Sequence, residues 1–165
     1  MISLPEGVWI AAFDQAKIDR LWDKLKDFDA FFADDLMRSK ETFQATLQSP
    51  YTVVLETESG VFWMCKIVYG VRGEVHLAFW DHRFVGRIED IKLCLLWAFL
   101  TYDLHRIETY LAAYATSTMR FIERKLGFKK EGVMRKRILH KGRLIDIHIF
   151  SILRDELLED KNGRT

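Results

Sequence analysis

Residues 88–102, Ile-Glu-Asp-Ile-Lys-Leu-Cys-Leu-Leu-Trp-Ala-Phe-Leu-Thr-Tyr, constrain the fold more than any other stretch of the chain. The run is too long and too apolar for a strand, and it reads as a helix with most of its circumference buried. Such a helix needs cover on more than one side, which a sheet supplies when the helix is laid against it. Its most apolar part, residues 93–100, falls far short of a membrane span, so the cover has to be protein.

The flanking sequence offers that sheet. Residues 51–56, 61–69 and 74–80 carry the period of strands and are separated by Glu-Ser-Gly and Gly-Val-Arg-Gly turns, so an antiparallel meander is the simplest arrangement. Residues 107–112 read as another strand, 116–126 as a helix that Gly127 ends in the left-handed conformation, and 133–140 with 144–153 as a closing hairpin around Lys141-Gly142-Arg143. Toward the N-terminus, residues 8–12 read as a short strand. Asp14 is placed to cap a helix running to about Phe28, Ser39 precedes a short helix over 42–47, and 31–37 reads as a further helix or a lid. Residues 155–158 add a helical turn. The order predicts an α/β fold, a twisted mixed β-sheet flanked by helices. At 165 residues, 49% hydrophobic and 30% charged, the chain is expected to form a single domain over 1–165.

Charge is separated along the chain despite a net of +1. Residues 1–60 hold six Lys or Arg against eleven Asp or Glu, and residues 120–143 hold ten basic residues against only Glu123 and Glu131. Such a basic run is either solvated surface or a recognition surface for a phosphorylated small molecule, with nucleic acid the less favoured partner. Two cysteines, Cys65 and Cys94, are too few for a disulfide framework, and no apolar leader follows Met1, so a cytoplasmic location is expected. The five histidines show no helical zinc spacing and no cysteine close in sequence, so no metal is expected.

One segment is more specific. Ser117-Thr118-Met119-Arg120-Phe121-Ile122-Glu123-Arg124-Lys125-Leu126-Gly127-Phe128-Lys129-Lys130-Glu131-Gly132 combines a Ser near a helix start, Glu-x-x-Leu-Gly-Phe at its end and a following Glu-Gly. With the basic strand and the Asp-Ile-His-Ile-Phe-Ser-Ile-Leu strand behind it, residues 83–153 resemble the GNAT superfamily of acyl-CoA-dependent N-acyltransferases. The nearest likeness is to the branch of ribosomal-protein N-terminal acetyltransferases. The resemblance implies the GNAT fold, acetyl-CoA as co-substrate, and acetyl transfer to a primary amine of a protein N-terminus or small molecule.

It also implies site residues. Arg83, Phe84, Val85, Gly86, Arg87 and Ile88 match the loop whose backbone N–H groups approach the cofactor pyrophosphate. Ile88 stands where the family has a small residue, and it either blocks that approach or points into the core. Tyr114 stands where an Asn commonly contacts the cofactor arm. Phe121 replaces a Tyr that reprotonates the departing thiolate, and phenylalanine has no proton to give. Ser117 is the matching alternative, unless it serves only as a helix cap. Arg83, Arg87, Arg120 and Arg124 would face the phosphates.

Candidates for a base, or for a water-relaying group, are Glu74, His76 and Asp81 around the 74–80 strand. The acidic group Asp27, Asp29, Asp34 and Asp35 suggests a cationic amine acceptor. Ile88, Tyr114 and Phe121 together leave open an alternative, a GNAT-fold protein with impaired catalysis that binds or has a structural role. A monomer and a homodimer are both compatible with the sequence.

Overall fold

The computed structural model describes residues 3–29, 32–80 and 88–162, with side chains to 159. Seven strands form one sheet: β1 (Trp9–Ile10), β2 (Val53–Thr57), β3 (Gly60–Val68), β4 (Arg72–Phe79), β5 (Arg106–Ala112), β6 (Lys129–His140) and β7 (Arg143–Leu153). Their spatial order is β1-β2-β3-β4-β5-β7-β6. The expected meander is present as antiparallel β2, β3 and β4, and the closing hairpin as antiparallel β6 and β7. The helices are α1 (Gln15–Leu25), α2 (Lys40–Leu47), α3 (Ile88–Thr101), α4 (Thr116–Phe121) and α5 (Arg154–Asn162). None of them is long and apolar enough to cross a membrane.

Strand alternation divides the sheet's side chains between two cores. Leu55, Phe62, Met64 and Val75 join Leu95, Phe99 and Ile122 of the α3 and α4 side, while Val54, Val61, Trp63, Cys65 and Ala78 join Ile18, Leu25 and Phe43 of the α1 and α2 side. Eight of the fourteen residues of α3, among them Ile91 and the run from Cys94 to Phe99, are buried, which agrees with the expectation of a helix enclosed on most sides. On β3 the alternation breaks: Ile67, an odd-numbered residue, lies in the core of Phe62 and Met64. A β-bulge between Cys65 and Val68, with Lys66 at φ 51°, causes the switch.

Several boundaries move. The first strand shrinks to two residues, although Ala11 N–H still donates to the Val54 carbonyl at 2.8 Å. Helix α1 stops at Leu25, and Asp14 caps it by accepting from Lys17 N–H at 2.7 Å. No helix forms over the described residues 32–38, and the segment runs as a strap of turns. Its turns are held by the Arg38 guanidinium on the Phe32 carbonyl and by Asp35 N–H on the Leu139 carbonyl at 2.8 Å.

The helix expected over 116–126 is α-helical only to Phe121 and continues as one π-helical turn, Ile122–Leu126. Gly127 ends it at φ 81°, as expected, and the N–H groups of Gly127 and Phe128 both donate to the Ile122 carbonyl.

Gly60 sits where the β2–β3 turn meets the end of β4. A Cβ there would lie 2.3 Å from the Phe79 ring and 2.5 Å from the Ala78 carbonyl oxygen. Gly60→Ala is therefore expected to lower stability by about 3 kcal/mol in chemical denaturation. Gly132→Ala, with no atom within 4 Å of the added carbon, should stay within about 0.5 kcal/mol of the wild type.

Candidate active site

Strands β4 and β5 run parallel but pair at only three rungs, Arg72 with Arg106, Gly73 with Ile107 and Glu74 with Glu108. Beyond Glu74 they part. Val75, His76 and Leu77 of β4 then face Thr109 and Leu111 of β5 across a narrow cleft, closed behind by Leu95 of α3 and by Thr118 and Ile122. The enclosed base of the cleft measures about 60 Å³, enough for the slender end of a ligand and too little for a nucleotide.

A second space, of about 540 Å³, opens on the α2 side of the sheet. Its walls include Asp34 and Met37 of the 32–38 strap, Phe43 of α2, Trp63 and Cys65 of β3, Glu74 and His76 of β4, and Arg137 of β6. His76 borders both this cavity and the cleft.

Glu74 and His76 are two apart on β4 and so share a face. The β3–β4 register, unbroken from the Gly60–Phe79 rung to this one, places Cys65 of β3 directly opposite Glu74. The Cys65 sulfur, a Glu74 oxygen and a His76 ring nitrogen consequently lie within 4.8 Å of one another. His76 Nε2 is 2.9 Å from Glu74 Oε1, and the Lys66 ammonium donates to Oε2 at 2.7 Å. Lys66 reaches this face because its left-handed backbone lets two successive side chains, Cys65 and Lys66, both line the cavity.

Burial of Glu74 by itself favours its neutral acid. The hydrogen bonds and charges of His76 and Lys66 outweigh that effect and hold its pKa at about 2. Burial likewise opposes the His76 imidazolium, but hydrogen bonds to Cys65 and Glu74 lift its pKa to about 9. At neutral pH the pair is thus a carboxylate bound to an imidazolium, and His76 stands ready to give a proton.

Of the residues expected from sequence, Glu74 and His76 come together here. Asp81, Arg83, Phe84, Val85, Gly86 and Arg87 lie outside the described residues. Ile88 opens α3 and packs against the larger core, the second of its two sequence alternatives. Phe121 also packs against that core. The Tyr114 hydroxyl donates to the Asp29 carbonyl at 2.8 Å, and its ring lies 4.7 Å from that of His140, which joins the end of β5 to the strap.

Ser117 does not cap its helix: the capping position is Ala115, which makes no side-chain bond, and Ser117 is exposed in the first turn. Its neighbour Thr118 lines the cleft base instead. Arg120 and Arg124 are exposed on the same helical stretch. Of the acidic group, Asp29 is engaged by Lys141 and Arg38, whose hydrogen bonds hold its pKa at about 2, while Asp34 is on the cavity wall.

Sequence reasoning missed Cys65, Lys66, Thr109 and Thr118. For Thr109 and Thr118 the available signal was their place on the 107–112 strand and at the start of the 116–126 helix, next to Ser117. For Cys65 the signal was its alternation with Val61 and Trp63 on one strand face, whereas for Lys66 none was available, because its face is set by the bulge.

The two shifted pKa values define a pH window. Glu74 contributes stability that is complete above its ordinary value of 4.5 and is lost as pH falls toward 2. His76 contributes stability that is complete below 6.5 and is lost as pH rises toward 9. The difference in unfolding free energy between wild type and His76→Gln, measured with a chelator present, should therefore be greatest between about pH 4.5 and 6.5 and shrink on either side. A difference that does not change with pH would contradict the ion pair.

No family model matches the chain. It is 34% identical over 68 residues to "Uncharacterized N-acetyltransferase p20" of Bacillus licheniformis, a match covering 41% of this chain and only 38% of that protein. Similarity to solved structures covers far more of the fold. The spermidine N-acetyltransferase of Vibrio cholerae, in complex with CoA and spermine, superposes with a TM-score of 0.73 over 93% of this chain and 99% of its own, at 16% identity. A point mutant of the same organism's SpeG spermidine N-acetyltransferase gives 0.73 over 95% and 99%, at 17% identity. The seven-stranded mixed sheet and its flanking helices therefore match the GNAT fold of these acetyltransferases.

Proposed function

We propose that the chain transfers the acetyl group of acetyl-CoA to a primary amine. The observation that carries this reading is the parting of β4 and β5 over a cleft that meets a separate cavity at His76. Two substrates have to meet in this reaction, and the two spaces give each its own approach. The cleft's chemistry fits the pantetheine arm: Leu77, Leu95, Leu111 and Ile122 suit its apolar links, and the Thr109 and Thr118 hydroxyls, with β4 backbone beyond the last paired rung, suit its amides. Acetyl-CoA, when bound, supplies an activated thioester.

In this reading the amine enters from the 540 Å³ cavity as its free base and attacks the acetyl carbonyl. A backbone N–H of β4 stabilises the oxyanion, and the amine's surplus proton passes to water in the cavity. The C–S bond then breaks, and the CoA thiolate takes a proton from His76, which Glu74 orients. This assigns to His76 the role that Phe121 cannot fill, and it turns the expected base into an acid. The sulfur already activates the acyl group, so no acyl-serine is required of Ser117.

For the acceptor, Asp34 and Glu74 give the cavity two carboxylates. The relatives named as spermidine N-acetyltransferases support screening polyamines first. The 117–132 motif supports screening N-terminal peptides beside them.

Calorimetry with acetyl-CoA should show binding, and its absence at millimolar cofactor would refute the reading. With an acceptor found, His76→Gln should lower kcat by about 100-fold without loss of cofactor affinity, and the wild-type kcat should fall as pH rises through about 9. Unchanged kcat in a folded variant would remove His76 from the mechanism. Asp34→Asn should raise KM for a polyamine severalfold at low salt, and the effect should fade at high salt.

A further inference from the structure

We infer that Cys65, Glu74 and His76 form a binding site for a thiophilic divalent cation of the zinc class. The inference is independent of the acetyl-transfer reading, because binding alone tests it. It rests first on the donor set. One thiol, one carboxylate and one imidazole place their ligand atoms within 4.8 Å of one another. Thiolate and imidazole together select zinc-like ions over magnesium or calcium, which prefer all-oxygen sites.

The second ground is construction. The three residues are carried by two paired strands, with Cys65 opposite Glu74 and Trp63 opposite His76, so the sheet fixes their backbone positions. Cys65 and Glu74 are each only 5% exposed, yet all three line the 540 Å³ cavity, from which an ion and its water can arrive. Zinc bonds of about 2.0–2.3 Å require ligand atoms a little farther apart than the 2.9 Å between His76 Nε2 and Glu74 Oε1, and the sulfur a little closer than the outer limit of the cluster. Side-chain torsions supply both adjustments.

The ion takes the place of the proton shared by His76 Nε2 and Glu74 Oε1, and Cys65 loses its thiol proton to become a thiolate, so two protons leave as one dication enters. Lys66 keeps its hydrogen bond to Glu74 Oε2 and orients the carboxylate from outside the coordination sphere. Three protein ligands leave a fourth, tetrahedral position facing the cavity for water. An occupied site also deprives His76 of the proton that acetyl transfer would use, so the ion acts as an inhibitor of any turnover at this face.

Cobalt(II) is the probe, because its bond to a thiolate absorbs in the near ultraviolet and its tetrahedral complexes absorb strongly in the visible. Chelator-treated wild-type protein titrated with cobalt(II) should saturate near one equivalent with both bands, and zinc(II) should displace them. Cys65→Ser should abolish the thiolate band, His76→Gln should weaken affinity at least about tenfold, and Cys94→Ala should retain the band. Absence of the thiolate band in the wild type, its survival in Cys65→Ser or its loss in a folded Cys94→Ala would overturn the assignment. Should Cys65→Ser not fold, unchanged cobalt affinity in His76→Gln would overturn it equally.

Discussion

Two buried carboxylates lie side by side on the last paired rung of the β4–β5 ladder, and the chemistry of this molecule is arranged around them. Glu74 and Glu108 are 5% and 6% exposed and are register partners. Adjacent like charges at such burial are costly unless cations compensate them. Lys66 and His76 attend Glu74, while Arg72 and Arg106 attend Glu108, with Arg72 at 2.7 Å and the Tyr110 hydroxyl as a further donor. Arg106 also forms a bidentate pair with Glu131, which accepts from Ser151. The network thus reaches from β3 across to β6.

This arrangement explains why the cavity wall carries Lys66, Arg72 and His76 beside its acids. The cations are there because the sheet buries carboxylates at the point where it divides. Past that rung there is no further pairing between β4 and β5 among the described residues, and side chains of α3, α4 and the π-helical turn fill the back of the gap. One rung therefore separates a region of sheet that is tied by charge from a region open to a ligand. His76 is placed at that boundary by following Glu74 at the strand's two-residue period.

Much of the fold was legible. The apolar run of α3 demanded enclosure, the meander announced itself by period and turn, and Leu126-Gly127-Phe128 marked a helix end whose φ of 81° only glycine adopts easily. The pattern failed where local preference was overruled. Ser117 has the chemistry of a cap but sits inside the helix, since Ala115 takes the capping position. Apolar residues at 32, 36 and 37 suggested a helix or a lid; no helix forms over the described residues, and the strap is held by bonds to Arg38 and to the backbone of β6. Nothing in the sequence signalled that the Tyr114 hydroxyl meets the Asp29 carbonyl, 85 residues away in sequence.

The sequence by itself determined the order of elements, the burial of α3 and the common strand face of Glu74 and His76, because each follows from the pattern of residues along the chain. Tertiary structure alone decided what stands opposite them. Six rungs run in one register from Gly60–Phe79 to Cys65–Glu74, and continuing it without a bulge would set Lys66 opposite Gly73 on the α3 face and Ile67 opposite Arg72 on the cavity face. The left-handed backbone at Lys66 shifts that register by one residue, sends Ile67 into the core of Phe62 and Met64, and brings the Lys66 ammonium to the Glu74 carboxylate beside Cys65. A shift of one residue exchanges the two faces of a strand, and composition and spacing do not encode it.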